Sequence, residues 1–155
     1  MSKSLKRVRN ALIKAGVETE ILEMPGETRT ALQAANAANC ALDQIAKSII
    51  FRGETSGTAV LFLTAGGNQV CKDKASAIAG EALGKADASL IRAQTGFAIG
   101  GVAPIGHLSP IRAFLDPRLL DFDTVWAAAG TPRHIFPINS TKLHEITNAL
   151  VSEFI

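Results

Sequence analysis

The longest uninterrupted apolar runs in this chain are five residues, 59–63 and 125–129, and thirteen glycines and six prolines punctuate the rest. A membrane-spanning helix needs roughly 20 apolar residues in succession, so that class is excluded. Short runs separated by turn residues specify short strands and short helices sharing one core. At 155 residues, 47% hydrophobic and 19% charged, the chain is neither disordered nor long enough for two domains. One domain over residues 1–155 is the expectation, burying close to 70% of its unfolded surface.

The order of elements follows from periodicity. Leu5, Val8, Leu12 and Ala15 recur at helical spacing and stop at Gly16. Residues 17–23 read as an edge strand, 30–39 as an alanine-rich helix capped by Thr28 or Thr30, and 45–52 and 59–64 as strands. The turn at 65–68 predicts a hairpin with 69–72, and Asp73 opens a helix that ends at Gly84. Residues 88–92, 111–115, 124–129 and 133–138 read as strands, before a last helix capped by Asn139 or Ser140, with Leu143, Ile146, Leu150, Val151 and Phe154 inward. No steady βαβ rhythm runs through this order. The fold class is therefore α+β, a mixed sheet flanked by helices.

Charge excludes little. The formal net charge is +2, but Lys3, Lys6, Arg7, Arg9 and Lys14 all precede the first acidic residue, Glu18. That cluster suits a solvated helix face or a contact with phosphates. No helix-turn-helix pattern is present, so DNA binding is not expected. Cys40 and Cys71 lack CxxC spacing, and His107, His134 and His144 are scattered, so neither metal nor disulfide is expected. The first residues lack the apolar core of a secretory signal. A cytoplasmic location is the expectation.

Two features suggest chemistry. In a strand over 45–51, alternation puts Ile45, Lys47, Ile49 and Phe51 on one face. A lysine among three large apolar side chains is costly to bury unless its ammonium meets an anion or an oxygen-lined pocket; otherwise it snorkels at a sheet edge. The second is the segment 95–106, with Gly96, Gly100, Gly101 and Gly106 in twelve residues. The amides of Gly100, Gly101 and Val102 suit a nest for an anion or a carbonyl oxygen, and a tight structural turn is the plainer alternative. The segment matches neither nucleotide-binding glycine signature, so no cofactor is expected. Ser109, His107 and Asp116 hold the letters of a hydrolase triad without its GxSxG elbow.

Arg29-Thr30-Ala31, Ala46-Lys47-Ser48, Thr95-Gly96, the run from Gly100 through Pro104 to Gly106, Asp116 and Ala128-Ala129-Gly130 follow one another in an order that resembles the YbaK/prolyl-tRNA-synthetase-associated editing domains. The resemblance implies a partly barrel-like sheet and a trans-editing hydrolase. Such a hydrolase deacylates mischarged aminoacyl-tRNA, above all tRNA(Pro) carrying a small amino acid such as cysteine or alanine. It implies that Lys47 is essential and that the GxxxP loop from Gly100 to Pro104, with Val102 and Ala103, holds the ester. On this reading Lys47, Gly100 and Gly101 are catalytic. Thr30, Ile45, Pro104, Ile105 and Gly130 shape a pocket for small side chains. The partners implied are the 3′ CCA end and acceptor stem of aminoacyl-tRNA, with help from prolyl-tRNA synthetase. The competing reading is a non-catalytic aminoacyl-tRNA or nucleotide-binding module acting as an adaptor.

Overall fold

Ala59–Ala65 is buried at every position, and the architecture is arranged around it. In the computed structural model, which describes residues 2–155, this strand is β3. It pairs antiparallel with β2 (Ala46–Gly53) in a register running from Ala46 opposite Ala65 to Arg52 opposite Ala59. β5 (Arg112–Leu115) pairs parallel with its other edge. β4 (Leu83–Lys85) and β8 (Leu150–Val151) complete a five-stranded sheet in the order β4-β2-β3-β5-β8. A second, antiparallel sheet of three strands has the order β1 (Leu22–Glu23), β7 (His134–Asn139), β6 (Thr124–Ala128). The sheets touch through a parallel bridge between Ile45 and Trp126. The fold is α+β with a mixed sheet, as expected.

Alternation along β3 divides the core. Leu61 and Leu63 face a large cluster containing Leu5, Val8 and Leu12 of α1 (Lys3–Lys14) and Val125, Ala127, Phe136 and Ile138 of the second sheet. Val60 and Phe62 face a smaller one with Ala75 and Ala79 of α3 (Lys72–Ala79), Phe114 and Phe154. Phe62 is wholly buried there, its ring centroid 5.0 to 5.8 Å from those of Phe51, Phe114 and Phe154.

α2 (Ala31–Ala38) begins at a capping box: Thr30 Oγ1 accepts from the Gln33 amide, and Gln33 accepts from the Thr30 amide. Four sequence expectations are corrected. Residues 88–92 are not a strand but belong to helix α4 (Ala88–Thr95), because Asp87 accepts from the Leu90 amide at 2.8 Å and caps it. Residues 69–72 pair with no strand; the Cys71 amide instead donates to Phe154 O, and α3 then runs only to Ala79. Within 17–23 only Leu22–Glu23 is strand. The last helix, α5 (Ser140–Thr147), stops at Asn148, so Leu150 and Val151 form β8 while Phe154 turns into the smaller core. No helix among the described residues is long and apolar enough to cross a membrane.

Candidate active site

β4 covers β2 only at Phe51–Gly53, and β6 reaches it only at Ile45. Between these points the edge of β2 has no strand beside it, and the two sheets splay apart. The gap is a pocket of about 380 Å³ between β2, α2, β6 and the segment 99–102. Small residues hold it open: Ala31 and Ala34 from α2, Ala46 from β2, Ala127 and Ala128 from β6, and Gly100.

Lys47 enters this pocket from β2, opposite Thr64 in the register. It shares a face with Ile49 and Phe51, as alternation predicts. Ile45 precedes the strand and packs with Ala34, Ala35 and Trp126 instead. The half-buried ammonium donates to Gly66 O at 3.2 Å, which leaves two of its three N–H groups for a ligand. Burial pulls its pKa below the ordinary value, against the pull of the Asp43 and Asp116 carboxylates. Those two acids also build the turn that receives it. Asp116 Oδ2 accepts from the Ala65 amide (3.1 Å) and Asn68 Nδ2 (2.9 Å), and Asp43 Oδ1 accepts from the Gly67 amide (2.8 Å). A Cβ on Gly66 would collide with Leu42 O.

The glycine-rich segment reaches the opposite wall. Gly100 has φ +91°, a conformation that favours glycine, and an added Cβ would lie 3.1 Å from the Arg29 side chain. Gly100 and Val102 line the pocket. Gly101 stands behind it: its amide closes a turn on Ala98 O at 3.1 Å, and a Cβ there would lie 2.7 Å from the Thr131 backbone. Ala103 is buried in the main core. Pro104 and Ile105 line a different depression, beside α1. A Cβ on Gly130, whose φ is +95°, would lie 3.0 Å from both the Phe97 ring and Ser4 O. Of the ten sequence-predicted residues, then, Lys47, Thr30, Ile45, Gly100 and Val102 meet around one space. Gly101, Ala103, Pro104, Ile105 and Gly130 lie outside its lining.

Other lining residues carried no expectation of a site. Arg29 stands at the rim with Nη1 3.5 Å from Ile99 O. Ser48 follows Lys47 on the next face of β2, and Trp126 is a half-buried wall. Only Arg29 and Ser48 had a local signal, as polar neighbours of Thr30 and Lys47. The triad letters separate: His107 Nε2 lies 2.7 Å from Ala103 O, while Asp116 serves the turn. Arg7 is not free for phosphate. Its guanidinium donates to Gly96 O (3.0 Å) and Gly106 O (3.2 Å) and sits 4.9 Å from the Phe97 ring centroid. The described residues hold no group of three or more His, Cys, Asp or Glu able to hold a metal.

A family model for the aminoacyl-tRNA editing domain matches residues 25–146, which contain the whole pocket. The uncharacterized protein YwhH of Bacillus subtilis (strain 168) is 31% identical over 144 residues, 93% of this chain and 91% of that protein. A solved structure of a proposed trans-editing enzyme for prolyl tRNA synthetase superposes with TM-score 0.92 at 42% identity, covering 99% of this chain and 98% of that one. A scaffold protein used for grafting linear epitopes matches with TM-score 0.92 at 41% identity, over 99% and 98% of the two chains. By the extent of these matches, the chain belongs to the aminoacyl-tRNA editing domain family.

Proposed function

We propose that this chain is a trans-editing deacylase that hydrolyses the ester of mischarged aminoacyl-tRNA, tRNA(Pro) carrying a small amino acid such as cysteine or alanine. The observation that carries the reading is Lys47: an ammonium with two unused N–H groups, in a 380 Å³ pocket walled by alanines and glycine. An aminoacyl ester is already activated, so orientation and stabilisation of the developing oxyanion are what a protein has to add. Lys47 supplies positive charge at one wall, and the amides of Gly100 and Val102 are the donors at the other. Gly101 and Pro104 hold that wall's backbone from behind.

The attacking oxygen comes from water or from the substrate. Ser48 is a poor nucleophile here, because alternation sends its side chain to the opposite face of β2 from Lys47 and its Oγ touches no base. Discrimination among aminoacyl groups belongs to this pocket, whose walls include Ala31, Ala34 and Ala127.

The 3′ end enters past Arg29. The basic residues of α1 and α3 do not make one tRNA surface, because these helices pack on opposite faces of β3 and Lys74 Nζ already donates to Ile155 O. With so modest a charge, tRNA affinity should be weak and salt-sensitive, which favours help from prolyl-tRNA synthetase.

The test is deacylation of Ala-, Cys-, Ser- and Pro-tRNA(Pro) by wild type and Lys47→Ala. Small mischarged species should be hydrolysed and Pro-tRNA(Pro) spared, with the rate about 100-fold lower or worse in Lys47→Ala. Full activity in the variant overturns the role of Lys47. Binding of the same RNAs without turnover would make the chain an adaptor.

A further inference from the structure

Among the described residues that line the pocket, two are cations, Lys47 and Arg29, and none is a carboxylate. Lys47 lies within, tied to Gly66 O. Arg29 stands at the rim, immediately before the Thr30 cap of α2, with half of its side chain exposed. Its guanidinium is weakly engaged: Nε lies 3.3 Å from Oε2 of the exposed Glu27, and Nη1 is 3.5 Å from Ile99 O. An ion pair so exposed is weak and exchanges readily for a better acceptor.

The opposite wall is shaped to this side chain. A Cβ at Gly100 would lie 3.1 Å from Arg29 Cγ and 3.2 Å from its Nη1, so the space left at position 100 is where the arginine stem rests. The stem carries the guanidinium across the rim, from the α2 side to the glycine-rich segment. Ile99, 54% exposed, adds an apolar surface beside it. A planar fork of N–H donors, its stem seated and its head loosely held, is the group that takes a phosphate by two oxygens at once.

Resting on the editing reading above, we infer that Arg29 binds the phosphate on the 5′ side of the substrate's terminal adenosine, releasing Glu27 as the 3′ end enters. The order of groups along the substrate matches the order of charges in the pocket. Outward from an ester held between Lys47 and Gly100 come the terminal ribose and then the first internucleotide phosphate. Outward from Lys47, the next cation of the lining is Arg29. Glu27 is then a countercharge, which neutralises Arg29 in the free protein and opposes the phosphate that replaces it.

The experiment measures deacylation by wild type, Arg29→Gln, Glu27→Gln and the double variant, with the melting temperature of each. One substrate is tRNA(Pro) carrying the amino acid of the panel that wild type releases fastest. The other is the same ester on adenosine alone, which has no internucleotide phosphate. Arg29→Gln should raise KM for the tRNA about tenfold with kcat within about twofold, and flatten the slope of log(kcat/KM) against log salt by about 0.7, the share of one single-strand phosphate contact. On the adenosine ester the loss in kcat/KM should shrink to about twofold. Glu27→Gln should lower KM for the tRNA about twofold, and only while Arg29 is present. An unchanged salt slope in Arg29→Gln, or an equal loss on the two substrates, overturns the phosphate site and leaves editing intact. A lower melting temperature together with a lower kcat in Arg29→Gln also overturns it, by making the arginine structural. A gain from Glu27→Gln that persists without Arg29 overturns the exchange. If wild type hydrolyses no member of the panel, the editing reading itself fails, and this inference with it.

Discussion

Asp116 decides where Lys47 can be. The carboxylate is 2% exposed and accepts from the Ala65 and Arg118 amides and from Asn68 Nδ2, so it fastens the turn whose Gly66 carbonyl holds the ammonium. Asp116→Asn replaces one acceptor oxygen with an NH₂ group that faces donors. Urea denaturation should show a loss of about 1–3 kcal/mol, the cost of leaving a buried donor unpaired. Deacylation should fall as well, whereas Asp121→Asn, at an exposed partner of Arg118, should change neither. Equal stability of Asp116→Asn and wild type would show that the carboxylate does not hold the turn. At this scale the sequence was partly legible. Lys47 was visible because a lysine among isoleucines breaks a strand pattern. Asp116 gave no such signal, because its work is to accept main-chain amides from residues 65 and 118, and a sequence does not display amides.

The helix α1 is a strut for the glycine-rich segment. Arg7 joins the carbonyls of Gly96 and Gly106 and covers Phe97, so both ends of the segment that carries Gly100 and Val102 are tied to one guanidinium. Arg7→Ala should increase hydrogen exchange of the amides between residues 97 and 106 and raise KM more than it lowers kcat. Arg7→Lys should fail to rescue either, because an ammonium cannot fork to two carbonyls while stacking on a ring. Exchange in Arg7→Ala that matches wild type would remove the strut. The heptad-like face of α1 was legible from Leu5, Val8 and Leu12, but not the role of Arg7, whose partners lie 89 and 99 residues away. The same limit explains residues 88–92. Their apolar pattern suits a strand or a short helix, and the Asp87 cap settles it. β8 is two residues long and exists because β5 offers it an edge; no local pattern specifies it.

At the scale of the molecule, the two sheets enclose one core and fail to close over β2, and that failure is the pocket. The α+β class was legible because short runs without a βαβ rhythm leave few architectures, whereas the splay was not, since it depends on where β4 ends and where Trp126 meets Ile45. The wall behind Gly100 and Val102 ties the pocket to global stability through His107. A carbonyl can only accept, so the Nε2 of His107, 2.7 Å from Ala103 O, carries a proton and donates it, and the ring is otherwise neutral. Burial, with the nearby Arg7 charge, holds its pKa below the ordinary 6.5, outweighing the bond to Ala103. The unfolded chain therefore binds this proton at a higher pH than the folded one. By linkage, stability should fall as pH drops below about 6.5 and level off once the folded value is passed. His107→Gln retains a donor for Ala103 O and cannot titrate. Urea midpoints between pH 7.5 and pH 5 should decline for wild type and stay flatter for His107→Gln, in a range largely above the titration of ordinary carboxylates, about 4. An identical slope in the two proteins would place the acid sensitivity elsewhere. A slope confined to wild type, accompanied by faster exchange of the Val102 and Ala103 amides at the lower pH, would show that the wall of the pocket is the part that acid loosens first.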